Sequence, residues 1–182
     1  MADNSLWVGA LTAGTAVVAS WVTSRGTARA ARIQAETAAA SQLTDRIRAA
    51  RRIAYVDVIE QAQRMGDLYW KVTDTQDDPD ADNRLSTLKD LRISLRDAYA
   101  MLRHRVWVVD LEGPQEVAAA ADRLRRATSG NYRALEAMIS GEADAGRRFN
   151  ECYAPFWQAV LVFVSTAREA LRDTAATRSI GL

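Results

Sequence analysis

SLWVGALTAGTAVVASWVTS, residues 5–24, is twenty consecutive residues without a formal charge, closed by Arg25. At 1.5 Å per residue a helix of this length spans about 30 Å, the thickness of a bilayer's hydrocarbon core. Trp7 and Trp21 stand near its two ends. They are about 21 Å apart along such a helix, which suits aromatic belts at both interfaces. We read the stretch as one membrane-spanning helix and the rest of the chain as organised around it. Ala, Gly, Thr and Ser outnumber Leu and Val here, so the drive to insert is moderate. A cleaved signal peptide fits less well. The only charged side chain before the run is Asp3, and Val17-Val18-Ala19 offers no A-x-A site. The third alternative is a soluble helical oligomer that buries an Ala/Gly-rich N-terminal helix.

The flanks set the expected orientation. Arg25, Arg29 and Arg32 follow the run, and no Lys or Arg precedes it. The positive-inside rule then puts the N-terminus outside and residues 25–182 in the cytoplasm. Spaced i, i+4, i+7, the three arginines share one helix face. Beside an anionic leaflet each would contribute on the order of 1 kcal/mol. Within the run, Gly9 with Ala13, and Ala10 with Gly14, are small residues four apart, the spacing that lets membrane helices approach closely.

After Arg25 the chain is Arg-rich and helix-patterned. Arginines outnumber lysines 22 to 2, yet the net charge is only +1, so no global field recruits nucleic acid. Cys152 is the single cysteine, which rules out an intrachain disulfide and agrees with a cytoplasmic domain. Three prolines, nine glycines and long periodic stretches predict an all-α chain. The expected architecture is an N-terminal transmembrane helix that continues into a long helix, then an antiparallel bundle of about four helices. Residues 1–26 form the anchor, 27–42 an Ala-rich helical stalk that is also able to pair as a coiled coil, and 43–182 the bundle.

The bundle's first helix carries Leu43, Ile47, Ala50, Ala54, Val58, Ala62, Met65, Tyr69 and Val72 at steps of three and four. TDTQDDPDADN, residues 73–83, lacks apolar residues and reads as a solvated loop that helps cap the next helix. Asp78, Asp80 and Asp82 imitate the opening of a calcium loop. However, Asn83 stands where the sharp turn needs Gly, and Lys89 where the bidentate Glu belongs. The second helix, about 84–110, has Leu85, Leu88, Leu91 or Arg92, Leu95, Tyr99, Leu102, Val106 and Val109 on one face. Gly113-Pro114 ends it. The third helix, about 114–140, carries Val117, Ala121, Leu124, Ala127 or Thr128, Leu135, Met138 and Ile139, with a bend or split expected at Ser129-Gly130-Asn131. The fourth covers about 147–177. Its centre, CYAPFWQAVLVFVSTA (152–167), is sixteen residues without charge, interrupted by Pro155 and Gln158. It reads as the bundle's central helix, kinked or started at Pro155, with a second membrane segment as the alternative.

No constellation carries recognisable chemistry. His104, the single histidine, lies between Arg103 and Arg105, and the residue three before it is Met101, so the Glu-x-x-His pairs of a di-iron bundle are missing. Cys152 sits among apolar neighbours, as an inert thiol does. G-x-S-x-G, H-E-x-x-H and phosphate-binding Gly loops are absent from the sequence. The Arg clusters are interspersed with Asp and Glu and read as solvated helix faces. Trp157 is expected in the core. Trp70 and Trp107, placed near adjacent helix ends in the expected hairpin, are candidate partner anchors. No catalytic residue, cofactor or metal is expected. The expected partners are the lipid bilayer and a protein, including the chain itself, and not nucleic acid. The functional expectation is a single-pass membrane-anchored scaffold or adaptor. The rival is a membrane-active oligomeric effector or pore subunit.

Overall fold

A computed structural model describes the backbone of residues 3–180 and the side chains of Arg29 and residues 31–172. Its elements are α1 (Asp3–Gln76), α2 (Ala81–Glu112), α3 (Gln115–Ile139), α4 (Ala145–Glu151) and α5 (Tyr153–Ile180), with no strand among the described residues. The chain divides into two compact units, residues 1–46 and 47–182. In the first unit the described side chains lie almost entirely exposed. Arg32 pairs with Glu36 one turn on at 2.9 Å, and Ile33 and Leu43 are 55% and 60% exposed. The predicted span, residues 5–24, falls among the residues whose side chains are not described. Among those that are described, no helix is long and apolar enough to cross a membrane.

The second unit is an antiparallel helical bundle, and its core follows the predicted stripes. From α1 it takes Ala54, Val58, Ala62, Met65, Tyr69 and Val72; from α2, Leu88, Leu91, Leu95, Leu102, Val106 and Val109. Packing starts later than the periodicity suggests. Leu43 and Ile47 fit the stripe but remain 60% and 40% exposed, and burial begins at Ala54. Periodicity identifies the face a helix would bury, but burial also needs a facing helix.

Four devices fix the α1–α2 hairpin. Asp80 caps α2 by accepting from the backbone N–H of Asp82 (3.0 Å) and Asn83 (3.2 Å). Gln61 donates across the interface to the Ala98 carbonyl at 2.8 Å, and Arg105 to the Asp57 carbonyl at 2.6 Å. Arg51 donates to the Glu112 carbonyl at 2.7 Å, placing a cation on the C-terminal end of α2, where the helix dipole favours it. The sequence reading missed both arginine devices and treated these residues as solvated faces.

Helix α3 is not bent at Ser129-Gly130-Asn131. Thr128 and Ser129 return their hydroxyls to the carbonyls of Arg125 and Arg126, each at 2.8 Å, so neither competes with the helix from outside. Gly130 is required for closeness: a Cβ there would lie 2.8 Å from the Cys152 sulfur. At its C-terminus α3 ends in a Schellman turn. Gly141 takes φ 74°, its N–H meets the Met138 carbonyl, and the Glu142 N–H meets the Ala137 carbonyl.

The expected fourth helix is two helices. Pro155 has no N–H, and its ring collides with the carbonyl four residues back, at Glu151. The chain therefore breaks at Cys152, between α4 and α5, three residues before the proline. On either side Phe149, Phe156, Val160, Phe163 and Ala167 are buried, while Leu161 is 61% exposed. The charge-free run is thus a core helix with one wet face.

Helices α1 and α5 meet along a tight seam. Tyr69 stands edge-on to Phe149 (5.7 Å) and Phe156 (5.1 Å), and Tyr55 edge-on to Phe163 (6.2 Å). Gly66 lies beneath the indole of Trp157, where an added Cβ would fall 2.6 Å from the ring. Gly66→Ala therefore lowers stability by about 1–3 kcal/mol through overpacking, against the gain of about 1 kcal/mol that Ala brings to an open helix. Thermal unfolding of the full-length chain followed by circular dichroism checks the sign; a raised Tm would contradict the seam.

Candidate functional site

The predicted site residues distribute unevenly. Trp7, Trp21, Arg25, Gly9, Ala13 and Gly14 are among the residues whose side chains are not described. Arg29 and Arg32 are exposed. His104 is exposed, Cys152 is half-buried, and Trp157 packs against the core. Asp78 and Asp80 use their carboxylates locally: Asp78 accepts from the Asp80 N–H at 2.9 Å and from the Asn83 amide at 2.6 Å.

Trp70 and Trp107 are both surface residues, 55% and 58% exposed, but the fold does not bring them together. The Gln61–Ala98 and Asp57–Arg105 hydrogen bonds place Trp70 level with about residue 90 of α2, so Trp107 lies about 25 Å further along the hairpin. Antiparallel pairing sends the C-terminal ends of α1 and α2 to opposite ends of the bundle. Trp70 rests edge-on against Tyr153 of α5 at 5.4 Å. Trp107 lies under the Arg103 guanidinium at 5.4 Å, a cation–π contact within α2. One turn beyond it, Leu111 is 85% exposed and extends the apolar ridge.

A cleft of about 350 Å³ opens between α1, α2 and α3, and no motif in the sequence points to it. Met65 and Tyr69 of α1 and Leu95 of α2 form its floor, with Thr128 beside them, all buried. Tyr99, Tyr132, Arg96 and Arg133 stand around its mouth. The space exists because α3 presents Thr128 and Ser129 between the larger Leu124 and Leu135 of its core face. Burial pushes the Tyr69 phenol well above the ordinary tyrosine range, and the nearby Cys152 adds to this. Tyr132 is raised by partial burial and by its hydrogen bond to Glu136. Both phenols are neutral at physiological pH.

Two acid–base groups flank the cleft. Arg125 pairs with Asp122 at 2.6 Å and donates to the Tyr99 hydroxyl at 3.1 Å, while Arg126 holds the other Asp122 oxygen at 2.7 Å. Arg92 reaches Glu136 at 3.4 Å. The Arg125 hydrogen bond, together with the charges of Arg125 and Arg126, holds the Asp122 carboxyl below the ordinary range despite some desolvation. No group of three or more His, Cys, Asp or Glu able to hold a metal occurs among the described residues.

No protein-family model, curated protein or solved structure matches this chain.

A depressed carboxyl contributes stability that is present above its ordinary value and is lost as pH falls through its lowered one. Asp122→Asn accordingly lowers the Tm by about 2 °C at pH 7. The difference shrinks toward zero as the pH is taken below 3. Melting curves across pH 2–7 measure it; a constant offset would remove the ionic contribution.

Proposed function

We propose that the protein is a membrane-anchored helical bundle that works by binding another protein, without catalysis of its own. Residues 5–24, with Trp7 and Trp21 at the ends and Arg25, Arg29 and Arg32 following, are the anchor, and the bundle lies in the cytoplasm. The observation that carries the binding role is the Trp107–Leu111 ridge. A Trp 58% exposed and a Leu 85% exposed, one turn apart, form an apolar projection of the kind that anchors protein interfaces. Commitment of Phe156, Val160, Phe163 and Ala167 to the core supports the adaptor over a pore subunit that would insert residues 152–167.

Self-association is a second reading, favoured by residues 31–47. Ile33, Ala40 and Ile47 repeat every seven residues with Leu43 between, and all four are exposed. This is a coiled-coil face awaiting a second copy.

Full-length protein sediments with membranes, a variant lacking residues 1–26 stays in the supernatant, and Trp107→Ala with Leu111→Ser removes co-purifying protein at unchanged Tm. Soluble full-length protein, or an unaltered set of co-purifying proteins, would overturn the reading. For self-association, Ala40→Cys in a Cys152→Ser background forms a disulfide-linked dimer under mild oxidation, seen on a non-reducing gel. Cysteine at exposed Glu60 stays monomeric.

A further inference from the structure

We propose that the cleft between α1, α2 and α3 binds a small aromatic carboxylate, an input to the bundle that stands whether or not the anchored-adaptor reading holds. Three features define the ligand: the floor, the mouth and the size.

The floor is apolar and buried. Met65, Tyr69 and Leu95 are each no more than 2% exposed. They offer methionine sulfur, a ring and a branched aliphatic chain, surfaces that take a flat aromatic body.

The mouth is positively charged and uncompensated. Arg96 and Arg133 stand at it, and neither forms an ion pair with a described residue. The acids nearby are engaged: Glu136 holds Arg92 and Tyr132, and Asp122 holds Arg125 and Arg126. Arg133 is steadied by its Nε–H donating to the Ser129 carbonyl at 3.3 Å. A guanidinium presents a planar fork that fits a carboxylate through two parallel hydrogen bonds. A neutral ligand would leave those donors unused, and a cation would be repelled.

The size sets the body. A volume of about 350 Å³ is at the small end of ligand pockets and suits one or two fused rings rather than a nucleotide or a long acyl chain.

The test uses the full-length chain in whichever fraction it is recovered, in detergent from membranes or in plain buffer from the supernatant, with the same medium lacking protein as the blank, and three probes of one shape. These are 2-naphthoate, 2-naphthylmethanol and 2-naphthylmethylammonium, followed by equilibrium dialysis. 2-Naphthoate binds saturably, about tenfold tighter than the alcohol, and the ammonium does not bind. Arg96→Gln with Arg133→Gln, both exposed positions, reduces naphthoate affinity about tenfold and leaves the alcohol unchanged. Thr128→Phe fills the cleft and abolishes binding of all three, with folding checked by circular dichroism. Equal binding of the three probes, no saturable binding of 2-naphthoate, or 2-naphthoate binding untouched by the arginine pair would overturn the proposal.

Discussion

The close approach of α1 to α5 is the constraint on which the bundle depends. Gly66 permits it, because the indole of Trp157 occupies the space a side chain would need. With the axes that close, Tyr69 reaches Phe149 and Phe156 together, and Tyr55 reaches Phe163. Each edge-to-face pair contributes about 0.5–1.5 kcal/mol beyond the area it buries. One ring on α1 thereby ties together the two pieces into which Pro155 divides the end of the chain. The remaining helices pack around this seam. Gly130 brings α3 against the α4–α5 junction, and α2 closes the other side through Gln61 and Arg105.

Around the bundle's packed faces and its cleft, arginine takes several different parts. Arg51 and Arg105 cap or bridge carbonyls of a neighbouring helix; Arg92, Arg125 and Arg126 neutralise acids beside the cleft; Arg96 and Arg133 are left facing its mouth. The near-zero net charge conceals this division. A summed charge says little about a bundle whose cations sort by position, some spent inside the fold and others left at the surface, Arg96 and Arg133 at one opening among them.

The helical stripes were legible in the sequence because burial follows a 3.6-residue period, and most predicted core positions of α1 and α2 lie in the core. What escaped depended on facing partners rather than on period. Leu43 and Ile47 have the right spacing and still stay exposed. Ser129-Gly130-Asn131 looks like a break in isolation, yet the Ser129 hydroxyl bonds back to the helix's own Arg126 carbonyl and the glycine answers Cys152. Trp70 and Trp107 looked like neighbours because each lies near the end of its helix, and antiparallel pairing separates them. The cleft is the hardest feature to foresee. It is made by what α3 lacks, and small residues on a helix face carry no signal until the opposing walls are known.

The antiparallel arrangement of the seam has a mechanical side. Tyr55 lies against Phe163 while Tyr69 lies against Phe149 and Phe156, so the start of the packed part of α1 and the described end of α5 emerge at the same end of the bundle. Tension applied between residues 50 and 172 would load the pairs one after another, peeling them apart like a zip. Pulling from opposite ends would instead shear all of them at once. The domain is thus built to yield most easily when its own two ends are drawn apart.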